Sequence, residues 1–159
     1  MPSTRSAIQK EIRQAKPFRS RTQEALVALL RTVDVVKRAV AQAVDPHGLT
    51  LQQYNVLRIL RGAQGEDLPT LEIAERMVEQ APGITRLLDR LEAKGLVSRA
   101  RCVHDRRQVL CKITPQGLKL LATLEAPMDR ADAAALGMLS GRELDTLIAL
   151  LDRIRAAHH

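Results

Sequence analysis

Between Ile84 and Ile113 the apolar pattern changes period once, from helical to extended, and that switch limits the fold more than any other feature of the chain. Ile84, Leu87, Leu88 and Leu91 recur at spacings of three and four, which puts them on one side of a helix, read as Pro82 to Lys94. Thr85, Arg86, Asp89 and Arg90 then face solvent. Gly95-Leu96 reads as a Schellman stop, with glycine in the left-handed position and leucine packing back. The period then becomes two. Leu96, Ser98, Ala100 and Cys102 alternate with Val97, Arg99, Arg101 and Val103, while Val109, Cys111 and Ile113 alternate with Gln108, Leu110 and Lys112. This predicts a hairpin with a tip near Asp105 to Arg107, one small-apolar face holding both cysteines, and one face rich in cations.

The flanking sequence is helical. Ser6 to Gln9 has the form of a capping box opening a short helix that stops before Pro17, although a disordered basic arm fits equally well. Leu26, Leu30, Val33, Val36, Val40 and Val44 mark a long helix over residues 21–44. Val27 and Val35 lie off that stripe, so the apolar surface is wider than one neighbour requires. Asp45-Pro46-His47-Gly48 ends it. Thr50 and Gln53 form a second capping box before a helix burying Leu51, Tyr54, Leu57 and Leu60. Residues 62–69 read as a loop, and Thr70 as the cap of a short helix with Ile73, Ala74 and Met77. Thr114-Pro115 starts a further helix to about Glu125, where Pro127 should break or kink it. Ser140 to Glu143 boxes a last helix with Leu144, Leu147, Leu151 and Ile154 on one side. The expected class is mainly α with a small β-hairpin wing: a winged helix-turn-helix between helical extensions.

Charge points toward a polyanion. Residues 1–21, 22–83, 84–119 and 120–159 carry +5, −2, +6 and −2, a segregation beyond what solubility needs. Phe18 and Tyr54 are the sole aromatics, which disfavours stacking on single strands or RNA loops and leaves duplex DNA. Cys102 and Cys111 are too few for a disulfide framework or a zinc site and read as small buried hydrophobes rather than a redox switch. His158-His159 reads as a frayed tail rather than a chelator. Every apolar run is interrupted by a charge before spanning length, so no membrane segment is expected and a cytoplasmic location follows. No nucleophile, base and orienter converge; neither an enzyme nor a cofactor is expected.

With these elements in order, the chain resembles the MarR family of bacterial transcriptional regulators. The resemblance rests on ITRLLDRLEAKGLVSRARCVHDRRQVLCKITPQG, residues 84–117, with its Lys-Gly-Leu-Val turn, Asp-x-Arg wing and Thr-x-x-Gly helix start. LTLQQYNVLRIL, residues 49–60, matches the family's second helix. The resemblance implies a homodimer held by terminal helices, a recognition helix in the major groove, a wing in the minor groove and a small, often phenolic effector. It also implies that Asp105 pairs with Arg107, leaving Arg106 to reach outward. Val78 and Gln80 stand where family members often have Gly and Ser, so the turn should be rearranged, and Thr85, Arg86 and Arg90 should carry base readout.

The division of labour follows. Residues 1–20 form a basic arm or short helix, 21–48 and 114–159 dimerise, and 49–113 bind DNA. Thr85, Arg86, Arg90, Arg99, Arg101, Asp105, Arg106 and Arg107 are the candidate DNA-binding residues. An arginine fork can read guanine, and a weakly hydrated guanidinium suits a narrow minor groove. The competing reading of the charged helix face is a set of internal ion pairs. His47 and Tyr54 lie where family effectors dock and are the candidate ligand residues, although a helix-end histidine and a core tyrosine account for them too. Partners are duplex DNA, a second copy of the chain and a small effector. The alternative function is a helical interaction protein whose winged fold no longer reads bases.

Overall fold

The computed structural model describes residues 6–158, so the first five residues of the basic arm and His159 lie outside it. The chain divides into two compact units, residues 1–39 and 40–159.

The first unit holds α1 (Ala7–Glu11) and most of α2 (Arg21–Val44). Ser6 caps α1, its Oγ accepting the Gln9 N–H at 3.4 Å. Only this half of the expected box forms. The buried Gln9 side chain turns the other way and donates Nε2 to the carbonyls of Gln14 and Lys16, folding the connection onto the helix. Ser20 Oγ accepts the Gln23 N–H at 3.1 Å as α2 begins. Leu26, Leu30, Val33 and Val35 along α2 stay exposed in the single chain.

The second unit is built on the last turn of α2, where Val44 is fully buried. A 3-10 turn, Asp45–His47, follows, and Gly48 at φ 68° reverses the chain in a conformation that favours glycine. Thr50 and Gln53 complete the predicted capping box at the head of α3 (Leu51–Gly62). The two-residue β1 (Leu68–Pro69) precedes α4 (Thr70–Arg76) and α5 (Ile84–Ala93); β2 (Val97–Arg101) and β3 (Val109–Ile113) form the hairpin. Strand order is β1-β3-β2, antiparallel throughout. α6 (Pro115–Leu136) and α7 (Gly141–Ala156) close the chain, capped by Thr114 and by the predicted Ser140–Glu143 box. The core joins Val56, Leu57 and Leu60 of α3, Ile73 of α4, Leu88 and Leu91 of α5, and Leu121 and Leu124 of α6, each almost fully buried. A leucine so buried contributes about 1.5–3 kcal/mol over an exposed one.

Several expectations need correction. Residues 68–69 pair with Cys111 and Leu110 rather than remaining loop. Thr70 is the first residue of α4, not its cap, and its hydroxyl donates to the Val109 carbonyl at 3.2 Å. α5 begins at Ile84, two residues later than Pro82. Pro127 lies inside α6, which continues to Leu136: one missing N–H removes a single rung, and Leu124 and Met128 on either side stay buried.

The largest correction is the parity of the hairpin. Val97, Arg99 and Arg101 pair with Ile113, Cys111 and Val109, and the buried Val97, Cys111 and Ile113 lie on that face. Ser98, Ala100 and Cys102 fall on the other, so the two cysteines do not share a face. The cause is local. Leu96 is buried too, but as the residue that closes α5: its N–H meets the Leu91 carbonyl and that of Gly95 the Glu92 carbonyl, the predicted Schellman pair. Strand alternation therefore starts one residue later, at Val97.

Candidate nucleic-acid interface

α5 has a greasy side and a charged one. Leu87, Leu88 and Leu91 anchor it, while Thr85, Arg86, Asp89 and Arg90 are exposed. Its approach is set by α3. Asn55 Oδ1 accepts the Val78 N–H at 2.8 Å, and Gln52 Nε2 lies 3.5 Å from Glu79 Oε2. In the turn, α4 stops at Arg76, Met77 is extended, and Val78 does not take a positive φ. Asn55 and Gln52 had no signal in the sequence, because both sit on a helix whose pattern says only that they are polar.

At the wing tip Asp105 accepts the Arg107 backbone N–H at 3.0 Å, and its own carbonyl accepts the Gln108 N–H at 2.9 Å. Asp105 therefore shapes the turn through the main chain of Arg107 rather than through its guanidinium. Cys102 N–H donates to the Gln108 carbonyl at 3.0 Å, closing the base of the loop.

The cations of this unit sort by company. Arg61 pairs with Glu125, Arg76 with Glu72 and Lys112 with Asp67. Arg58 rests on the Tyr54 ring and donates to its hydroxyl. The side chains of Arg86 and Arg90 of α5, and of Arg101, Arg106 and Arg107 of the wing, are exposed and have no hydrogen-bonded or ionic partner among the described residues. Arg99 stands apart. Facing the core side of the hairpin, it meets Glu92 at 2.5 and 2.9 Å and Asp89 at 2.7 Å. The hydrogen bond to Glu92, seconded by Asp89, lifts its pKa above the ordinary arginine value although partial burial opposes this. The sequence placed Arg99 on the cation-rich outer face, a consequence of the parity error.

An open groove of about 320 Å³ runs along the start of α5, lined by Gln52, Ala81, Pro82, Gly83, Arg86, Leu87 and Arg90. Neither His47 nor Tyr54 lines it. His47 is exposed in the 3-10 turn, and Tyr54 is buried with its hydroxyl taken by Arg58. Cys111 is fully buried, and that burial pushes its thiol pKa up, partly offset by Thr70. No cluster of three metal-ligating side chains occurs among the described residues. Among them, too, no helix is long and apolar enough to cross a membrane.

A helix presented by a helix-turn-helix and followed by a three-stranded wing, both carrying arginines with unpaired side chains, defines a winged helix-turn-helix DNA-binding protein. The model of the MarR family matches residues 47–108. A MarR transcription factor from Planctomyces limnophilus is 44% identical over 86% of this chain and 98% of its own, with a TM-score of 0.68. A probable transcriptional regulator from Pseudomonas aeruginosa is 28% identical over 80% of this chain and 93% of its own, at TM-score 0.71. BpsR of Bordetella bronchiseptica, whose DNA binding is regulated by 6-hydroxynicotinic acid, matches in fold: 21% identity, 88% and 98% coverage, TM-score 0.77. The chain belongs to the MarR family: it is a DNA-binding transcriptional regulator and not an enzyme.

Proposed function

We infer that this regulator is a cytoplasmic homodimer that binds a pseudo-palindromic operator and represses by occupying it. The observation that carries the reading is the set of exposed arginines that α5 and the wing hold side by side, Arg86, Arg90, Arg101, Arg106 and Arg107, whose side chains have no partner among the described residues, whereas Arg61, Arg76, Arg99 and Lys112 are paired. Residues 49–113 read DNA in this scheme, and residues 21–48 and 114–159 hold the dimer. Thr85, Arg86 and Arg90 discriminate bases in the major groove, where a bidentate arginine–guanine contact is worth roughly 1–3 kcal/mol. Arg101, Arg106 and Arg107 contact phosphates and the minor groove. Asp105 shapes the wing turn, and Arg99 positions α5 against β2 instead of reaching DNA.

An amphipathic aromatic anion fits the groove beside α5 better than it fits His47 and Tyr54. Ala81, Pro82 and Leu87 supply an apolar floor, and Arg86 and Arg90 supply charge. Because the same arginines read bases, such a ligand would compete with DNA directly. The regulation of BpsR by a hydroxylated aromatic acid supports that chemical class.

The test begins with selection of bound sequences from random duplex, followed by fluorescence anisotropy on operator and scrambled DNA at several salt concentrations. Arg86→Ala should lose about 1–3 kcal/mol on the operator and relax one position per half-site. Arg106→Ala should weaken both duplexes alike and lower the salt slope by ~0.9 for each phosphate it no longer neutralises. A ratio of specific to non-specific affinity near one would overturn this reading in favour of an interaction protein that no longer reads bases.

A further inference from the structure

The groove at the head of α5 is more apolar than contacts to phosphates and hydrogen-bonding base edges require. Three consecutive residues, Ala81, Pro82 and Gly83, line it without one polar side chain, and Leu87 joins them. Pro82 is exposed, while Ala81 is half-buried against the core. Gly83 is the N-cap residue of α5 and supplies no capping side chain. Serine, threonine, asparagine or aspartate there would satisfy a helix N–H that glycine leaves open. Nor does the backbone demand glycine. Its φ of −178° is extended, and a Cβ would meet nothing within 4 Å. What glycine does here is leave the wall of the groove bare, so that another molecule can approach closely. Arg86 and Arg90 line the same groove, their side chains without partners among the described residues, and no lining residue is acidic. An apolar surface therefore adjoins two guanidiniums on the helix that proteins of this class lay in the major groove. Of the four bases, thymine alone presents an apolar group there, its C5-methyl.

We propose that Ala81 and Pro82 form a thymine subsite: they receive the C5-methyl of a thymine beside the base that Arg86 reads, and Gly83 leaves room for its approach. This subsite rests on the base-reading proposal above and deepens it, because it selects a base by apolar contact where the arginines select by hydrogen bonds. An effector seated in the groove would then displace the methyl as well as occupy the arginines.

The test takes the operator selected from unmethylated synthetic duplex, where thymine is the only source of a C5-methyl. Each thymine is replaced in turn, symmetrically in both half-sites, by deoxyuridine, which pairs identically and deletes the methyl alone. At one position, beside the base pair where Arg86→Ala relaxes preference, the full-length wild type should lose affinity about fourfold per half-site, the factor that burial of one methyl carries. Two variants locate the effect. Pro82→Ser, at an exposed position, should still melt cooperatively, keep its affinity for scrambled duplex and lose most of that penalty. Gly83→Ala adds its own methyl to the groove and should weaken the thymine operator more than the deoxyuridine one. An operator with no thymine beside that base pair, no deoxyuridine effect there, or an undiminished penalty in both variants would overturn the proposal. So would a Pro82→Ser variant that loses binding of a phenolic acid while the penalty stays intact, which assigns the groove to an effector alone. A wild type without operator preference sinks base reading altogether, whereas an operator that Arg86→Ala relaxes and deoxyuridine leaves untouched sinks the thymine subsite alone.

Discussion

Arg86 and Arg99 carry the same group in opposite surroundings, and that difference decides what each can do. Arg86 is exposed and unpaired, so its fork is available to a base. The Arg99 fork is taken by Glu92 and Asp89, and it thereby cancels two carboxylates on the helix proposed to read DNA. Arg99→Gln should cost about 1 kcal/mol or less in stability, since the pair is partly solvated. It should weaken operator and scrambled duplex together through the bared acids. Adding Asp89→Asn and Glu92→Gln should restore anisotropy-measured binding toward wild type; no recovery would mean that Arg99 touches DNA itself. The cysteines invite a parallel measurement. Near neutral pH a thiol-reactive disulfide should label the half-buried Cys102 and spare Cys111 until the chain unfolds. Because burial raises the Cys111 pKa, the unfolded thiol ionises first. Its contribution to stability is whole below the ordinary value of 9.0 and is lost as pH climbs through the folded value. Cys111→Ala should flatten that alkaline decline in urea titrations.

The elements meet at tight points, and Gly117 is the tightest. A Cβ there would strike the Leu96 carbonyl oxygen and lie 2.7 Å from Ile113 Cγ1, so α6 can seat on the hairpin only without one. Gly117→Ala should lower unfolding free energy by about 1–3 kcal/mol in denaturant titration, with the m-value unchanged. The bounds of α2, the caps at Ser6, Thr50, Thr114 and Ser140 and the Schellman stop were legible, because each is a local interaction written within a few residues; Gly117 was marked only by the family resemblance, since what forbids its Cβ lies on Leu96 and Ile113. What failed was tertiary. The hairpin parity depended on whether Leu96 or Val97 began the strand, and both are buried, each against a different neighbour. β1 is two residues long, too short for any period, and exists because β3 offers an edge. α6 survives Pro127 because the flanking side chains remain anchored in the core. At the site the exposed α5 arginines could be read from helical spacing, whereas Arg99's carboxylate partners and Asn55's hold on Val78 could not.

At the scale of the molecule, the surfaces left uncovered fit the proposed dimer. In the first unit Leu26 and Leu30 of α2 are 55% and 62% exposed. In the second, Met138 is 72% exposed, and Ile148, Leu150 and Ile154 of α7 are each near half, with no residue of that helix buried. Exposed leucines are ordinary singly, but a helix of sixteen residues with none buried has no reason to hold its place in an isolated chain. In the proposed homodimer a second copy would supply that reason, and the two-fold would present two α5 helices about one helical turn apart. Leu147→Glu with Leu151→Glu puts charge into the half-buried stripe of α7. The expected outcome is monomer or insoluble protein by sedimentation equilibrium at micromolar concentration, where the wild type should be a dimer. A soluble monomeric variant should bind a single half-site as well as the whole operator and lose its sensitivity to half-site spacing. In the wild type, inserting ~5 bp between half-sites rotates one to the far side of the duplex and should abolish tight binding, and a ~10 bp insertion restores the facing but stretches the span. A wild-type monomer at micromolar concentration, or operator affinity indifferent to the ~5 bp insertion, would remove the dimer from this scheme and leave each winged lobe reading DNA alone.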